Sequence, residues 1–168
     1  MTLDARHRAA RRGRERWAQA FRPEAIDLLV VAHAPSASLD RYFYFPNVPR
    51  QDSLFREVTR AVLKVEPERE EKRALLRMLS EAGVHLIDVS LEPLPEGSEL
   101  GPLIPGLLRR IRRLDPQRIV LVKSDVYDEA FHAIRDAGLP VIDARIPFPG
   151  SGRQQEFRVA FAQAINSR

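Results

Sequence analysis

The run Asp27-Leu28-Leu29-Val30-Val31-Ala32, followed by His33-Ala34-Pro35-Ser36, decides the fold class. Its apolar positions are continuous rather than alternating, the pattern of a parallel strand buried on both faces. Further short apolar runs occupy 84–89, 118–122 and 139–143, and segments of helical periodicity separate them. Strands that alternate with helices call for a parallel sheet with right-handed crossovers and helices on both faces. The expected fold class is therefore α/β, a three-layer α/β/α domain on a four-stranded parallel sheet.

Turn chemistry sets the expected boundaries. A basic helix over 3–21 presents Trp17 and Phe21, one helical turn apart, as its docking face. Asp52 or Ser53 starts a helix carrying Leu54, Phe55, Val58, Ala61 and Val62 on one face, and a second helix stops at Gly83. Ser124 is expected to cap a helix over 126–137, and the last helix covers 154–165. Residues 1–22 form a basic helical segment, and 23–168 form one domain.

With 168 residues, 44% hydrophobic and 30% charged, the chain has the composition of a soluble globular protein. No apolar run approaches a membrane span, no signal-peptide core follows the N-terminus, and the expectation is a cytoplasmic monomer. The absence of cysteine excludes disulfides, thiolate zinc sites, cysteine-ligated clusters and a catalytic thiol. The four histidines have no metal-ligand spacing, so no cofactor is expected. Of the net charge of +4, residues 1–22 carry seven arginines against Asp4 and Glu15, leaving the remainder close to neutral. Such a segment either attracts phosphate backbones or is a solvated helix face.

Ligands of open α/β sheets bind at the carboxyl ends of strands. One loop there carries His33 and the four aromatics Tyr42-Phe43-Tyr44-Phe45, which cannot all be buried on one side. A ring left open can stack on a base; alternatively the set plugs the sheet edge as local core. The second loop, Arg145 to Arg153, holds Pro149-Gly150-Ser151-Gly152 before a helix start, with Ser151 and Gln154 at capping-box spacing. Its amides and Arg153 could cradle phosphate, or the loop is simply a capped turn. Asp88 and Lys123 end the second and third strands, as a base-edge reader and a phosphate contact, or as a turn cap and a rim charge.

These residues resemble the uracil-DNA glycosylase superfamily over about 27–165. Ala32-His33-Ala34-Pro35-Ser36 matches the frame of that family's Gly-Glu-Ala-Pro-Gly motif, with His33 in place of Glu. Phe43 falls near the family's uracil-stacking phenylalanine, and Asp88 is the counterpart of its uracil-reading asparagine. Ile146-Pro147-Phe148-Pro149 is similar to the last motif, His-Pro-Ser-Pro, with Ile146 in place of the leaving-group histidine. Ala34 stands where the best-known members have a water-activating aspartate, and the cluster cysteines of the iron–sulfur members are missing.

The resemblance implies excision of uracil from DNA, with His33 and Asp88 catalytic. Ala34, Pro35, Tyr42, Phe43 and Phe148 would bind the base, and Lys123, Ser124, Arg145, Ser151, Gly152 and Arg153 the phosphates. A protonated His33 would make activity rise below neutral pH. The alternatives are a non-catalytic DNA- or nucleotide-binding protein of the same fold, or another hydrolase such as a nucleoside hydrolase on a similar sheet.

Overall fold

The structure, a computed structural model, describes residues 3–150 and 152–167. The chain forms three parallel strands, β1 (Leu28–Ala32), β2 (Val84–Asp88) and β3 (Arg118–Leu121), in the order β2-β1-β3. Leu28 lies opposite both Val84 and Arg118, and Ala32 opposite Asp88. Among the described residues the α-helices are α1 (Leu3–Ala20), α2 (Ser53–Leu63), α3 (Lys72–Glu81), α4 (Ile104–Leu114), α5 (Ser124–Asp136) and α6 (Gln154–Asn166). None of them is long and apolar enough to cross a membrane.

The strand period of two sorts β1 between two cores. Leu28, Val30 and Ala32 join Phe21, Leu54, Phe55, Val58, Leu76 and Phe161 on the face covered by α1, α2, α3 and α6. Leu29 and Val31 join Leu107, Ile111, Val126 and Phe131 on the face covered by α4 and α5. All five β1 residues are buried, as a continuous apolar run requires.

The expected fourth strand is reduced to two isolated parallel bridges to the β3 segment, Ile119 with Val141 and Val122 with Ile146. Between them Val141 N–H bonds Leu139 O (2.8 Å) and Ala144 N–H bonds Ile142 O (3.0 Å). Ile142 N–H still bonds Ile119 O (2.8 Å), but the three-residue turn at Ala144 directs the next ladder amide back onto its own chain. The sheet accordingly has three strands.

Local chemistry explains two of the helix ends. Asp52 caps α2, its carboxylate accepting from Phe55 N–H at 2.6 Å. Gly83 follows α3 with φ +76°, and its carbonyl accepts from both Asp27 N–H (2.8 Å) and Leu28 N–H (3.1 Å). The expected Ser124 cap does not form. Lys123 takes the cap position with φ +84° and no side-chain cap bond, so Ser124 is the first helical residue. Ser151 of the expected Ser151–Gln154 capping box lies outside the described residues. Gly152 turns the chain at φ +81°, and Arg153 becomes the N-cap of α6 without a side-chain bond.

The basic N-terminal helix docks on the sheet edge. Trp17 and Phe21 stack with centroids 6.1 Å apart, and the Arg73 guanidinium lies 5.3 Å from the Trp17 ring. Buried Arg14 donates to Leu91 O (2.8 Å) and to the Glu92 carboxylate (3.2 Å). The exposed backbone of edge strand β2 is closed by Tyr44, whose hydroxyl accepts from Leu86 N–H (2.6 Å) and bonds Leu86 O (3.0 Å). His85 Nδ1 lies 3.0 Å from the same hydroxyl. A single O–H donates to Leu86 O, which leaves His85 as the Nδ1–H donor. An edge strand with unpaired polar groups invites wrong pairing, and this hydroxyl removes that option.

Candidate functional site

A cleft of about 380 Å³ opens at the carboxyl ends of the strands, walled by His33, Tyr42, Phe43, Asp88, Lys123 and Phe148. Ala34 and Pro35 also line it, so the loops after β1 and before α6 meet at one rim. Among the described residues of the expected phosphate set, only Lys123 lines the cleft. Arg145 holds Asp128 through two bonds of 2.8 and 2.9 Å, and Arg153 holds Glu156 at 2.8 Å. Both guanidiniums are committed to local carboxylates, and Ser124 and Gly152 are not among the lining residues. The expected cradle therefore does not form part of this cleft.

The backbone around His33 is rigid. Ala32 O accepts from Val89 N–H (2.9 Å) and His33 O from Ser90 N–H (3.1 Å), which extends the β1–β2 pairing past the strand ends. Its Nε2 is buried without a hydrogen-bond partner and lies 3.8 Å from Asp125 Oδ2. Burial, then the neighbouring Lys123 ammonium, push the imidazole pKa below its ordinary 6.5, with Asp125 and Glu96 acting against them. The ring is neutral at pH 7. The cationic form expected from the sequence belongs to more acid conditions.

Asp88 shifts in the opposite sense. Burial raises its carboxyl to about 7, opposed by the guanidinium of Arg110 and raised further by Asp52. Arg110 grips the strand end from α4, donating to Asp88 O (2.8 Å) and Val89 O (2.7 Å). A carboxyl that is half protonated near neutrality can donate and accept hydrogen bonds at once. Two titratable groups displaced from their ordinary values in one cleft, one lowered and one raised, are the usual mark of acid–base work.

Lys123 brings strain as well as charge. A φ of +84° costs a non-glycine residue of order 1–3 kcal/mol, and such strain gathers at functional sites. Its ammonium lies 3.6 Å from Asp125 and 3.8 Å from Glu96. The aromatic loop is held from below by Lys72, fully buried, which donates to Tyr42 O (3.0 Å) with its ammonium 4.7 Å from the Phe55 ring centre. Burial lowers the Lys72 ammonium to about 8.

The four aromatics divide between the two roles the sequence left open. Phe43 is only 7% exposed, packed edge-on against Tyr44 and Phe55, but one side of it reaches the cleft. Tyr44 is core, and Tyr42 is half-buried at the rim. Phe148, 38% exposed, lines the same cleft. A Cβ on Gly150 would sit 3.1 Å from its ring, so a side chain there would displace the ring by a few tenths of an ångström.

Sequence reasoning missed Arg41, Asp125, Glu96 and Arg110. Arg41 lines the cleft with a buried Nε that lacks a partner, as do His33 Nε2 and Asp125 Oδ1. Buried polar atoms are rarely left unpaired, and three of the five found among the described residues gather around this site. Asp125 alone carried a signal, as an acidic residue in the first turn after a strand. Among the described residues, no set of three or more metal-ligating side chains is assembled.

Comparison of the chain with protein-family models, with curated proteins and with solved structures finds no match.

Proposed function

We propose that this protein is a DNA glycosylase that hydrolyses the bond between uracil and deoxyribose, on a uracil-DNA glycosylase-like fold. The observation that carries the reading is the raised carboxyl of Asp88 at a strand end, in a cleft walled by Tyr42, Phe43 and Phe148. A protonated carboxyl presents one donor and one acceptor side by side, as an asparagine side chain does. That pair complements the N3–H and O4 of uracil, whereas ionised Asp88 offers acceptors only and repels an anionic base.

Extrusion of the nucleotide into the cleft places the base between the rings. The C1′–N1 bond breaks with its electron pair leaving on uracil, and the sugar becomes oxocarbenium-like. Lys123 stabilises the departing anion electrostatically, the part that Ile146 cannot play because its aliphatic side chain, buried in the core, carries neither a donor nor a charge. Water adds to C1′ and passes a proton to neutral His33, with Asp125 beside the imidazolium that results. The active form needs His33 neutral and Asp88 protonated, which places the optimum between the lowered His33 value and about pH 7.

Release of free uracil from a uracil-containing oligonucleotide tests the reading, with His33→Ala beside the wild type. Full activity in the variant discards the assigned base.

A second reading, a DNA- or nucleotide-binding protein without turnover, has one observation of its own. Ile146 is sealed in the core, and Arg145 and Arg153 are tied to Asp128 and Glu156, so the last loop offers no cation to a leaving group. Gel-shift binding with no base release at any pH decides for it.

A further inference from the structure

A second basin of about 420 Å³ lies between α1, edge strand β2 and α4, and it shares Pro35, Tyr42, Leu86 and Asp88 with the cleft. Five arginines line it: Arg11, Arg14 and Arg22 from the N-terminal segment, and Arg110 and Arg113 from α4. Glu15 and Asp88 are the only acidic side chains among its lining residues. Glu15 is already paired with Arg11 at 2.9 Å, and Asp88 is largely uncharged below pH 7.

The arginines fall into two kinds. Arg14 and Arg110 are built into the walls: Arg14 donates to Leu91 O and pairs with the Glu92 carboxylate, Arg110 donates to Asp88 O and Val89 O, and each keeps the rest of a five-donor fork. Burial lowers the Arg110 pKa, with the neighbouring Asp88 acting against it. Arg22 and Arg113 are exposed and make no ion pair among the described residues. Planar guanidinium forks suit phosphate oxygens, and a cationic groove beside stacking rings is the arrangement that holds single-stranded nucleic acid.

We propose that this arginine groove is the backbone track of a single-stranded DNA whose adjacent base enters the His33–Asp88 cleft. The inference rests on the uracil reading for the identity of the base, and it goes further by assigning the strand and its path. It also gives the basic N-terminal segment a role: α1 supplies one wall of the track.

The test is fluorescence anisotropy with a labelled single-stranded uracil oligonucleotide between 50 and about 200 mM salt. The double variant Arg22→Glu/Arg113→Glu is compared with Arg12→Glu/Arg16→Glu, an equal charge change at exposed α1 residues outside the groove lining. The groove variant is expected to lose at least about tenfold in affinity, and its log–log salt slope to fall by about 1.4, near 0.7 per lost phosphate contact. Binding of free deoxyuridine should stay unchanged in both variants.

Equal losses in the two double variants would mean a diffuse basic surface and overturn the track. So would unchanged affinity in the groove variant, or equal competition by a poly-glutamate peptide of matched charge. A groove-specific loss in a protein that binds no deoxyuridine and releases no uracil keeps the track and removes the uracil reading.

Discussion

Replacing Asp88 by asparagine should remove the alkaline limb of the pH profile while leaving the acid side in place. With the carboxyl at about 7, roughly half of the wild-type molecules carry the uracil-reading proton at pH 7. At pH 8 that fraction falls to about one in eleven, so excision should drop about tenfold between pH 6 and pH 8, following one proton. An amide presents the same donor–acceptor pair at every pH. Asp88→Asn should therefore match the wild type within a few-fold at pH 6 and exceed it about tenfold at pH 8. Single-turnover release of uracil from pH 5 to 9 reads this directly. Stability supplies an independent check with a fixed sign. The folded carboxyl lies above its ordinary 3.8, so wild-type stability should fall as pH rises from about 4 to about 7 and be flat above. The variant should lack that fall. An alkaline decline that survives the substitution, or a variant inactive at pH 6 though folded, would refute the role given to the proton.

Three other substitutions probe the supporting structure. Lys123→Gly relieves the φ of +84° and should stabilise the protein by about 1 kcal/mol in urea titrations, while excision falls at least about tenfold with the lost ammonium. Tyr44→Phe strips Leu86 N–H and O and His85 Nδ1 of their shared partner, and thermal unfolding should register about 1–3 kcal/mol of destabilisation. Gly83→Ala forces a Cβ to 3.0 Å from Asp27 Cβ at φ +76°, so its unfolding free energy in urea titrations should fall by more than the roughly 1 kcal/mol of backbone strain alone.

What the sequence made legible was local. The β1 run, the Asp52 cap, Gly83 after α3 and the Trp17–Phe21 docking pair each follow from spacing and turn chemistry within a few residues. The meeting of His33, Phe43, Asp88, Lys123 and Phe148 in one cleft was legible too, because parallel strands deliver their carboxyl ends to one side. The fourth strand failed because a short-range turn at Ala144 outcompetes the next ladder bond, which composition does not reveal. The pairing of Arg145 was not legible, because its carboxylate partner lies 17 residues away, on the first turns of α5. Lys72 beneath the aromatic loop and Arg110 at the end of β2 were invisible for the same reason: each bonds a backbone carbonyl at least 21 residues distant. The pKa directions of His33 and Asp88 arise from burial, a property of the folded chain alone.

The most direct trial of the central claim is a titration of the protein with free uracil at pH 6, followed through backbone amide resonances. Perturbations centred on His33, Ala34, Asp88 and Lys123, and weakened at pH 8, are the predicted result. Resonances that stay still at those positions, or that move only around α6, would contradict it.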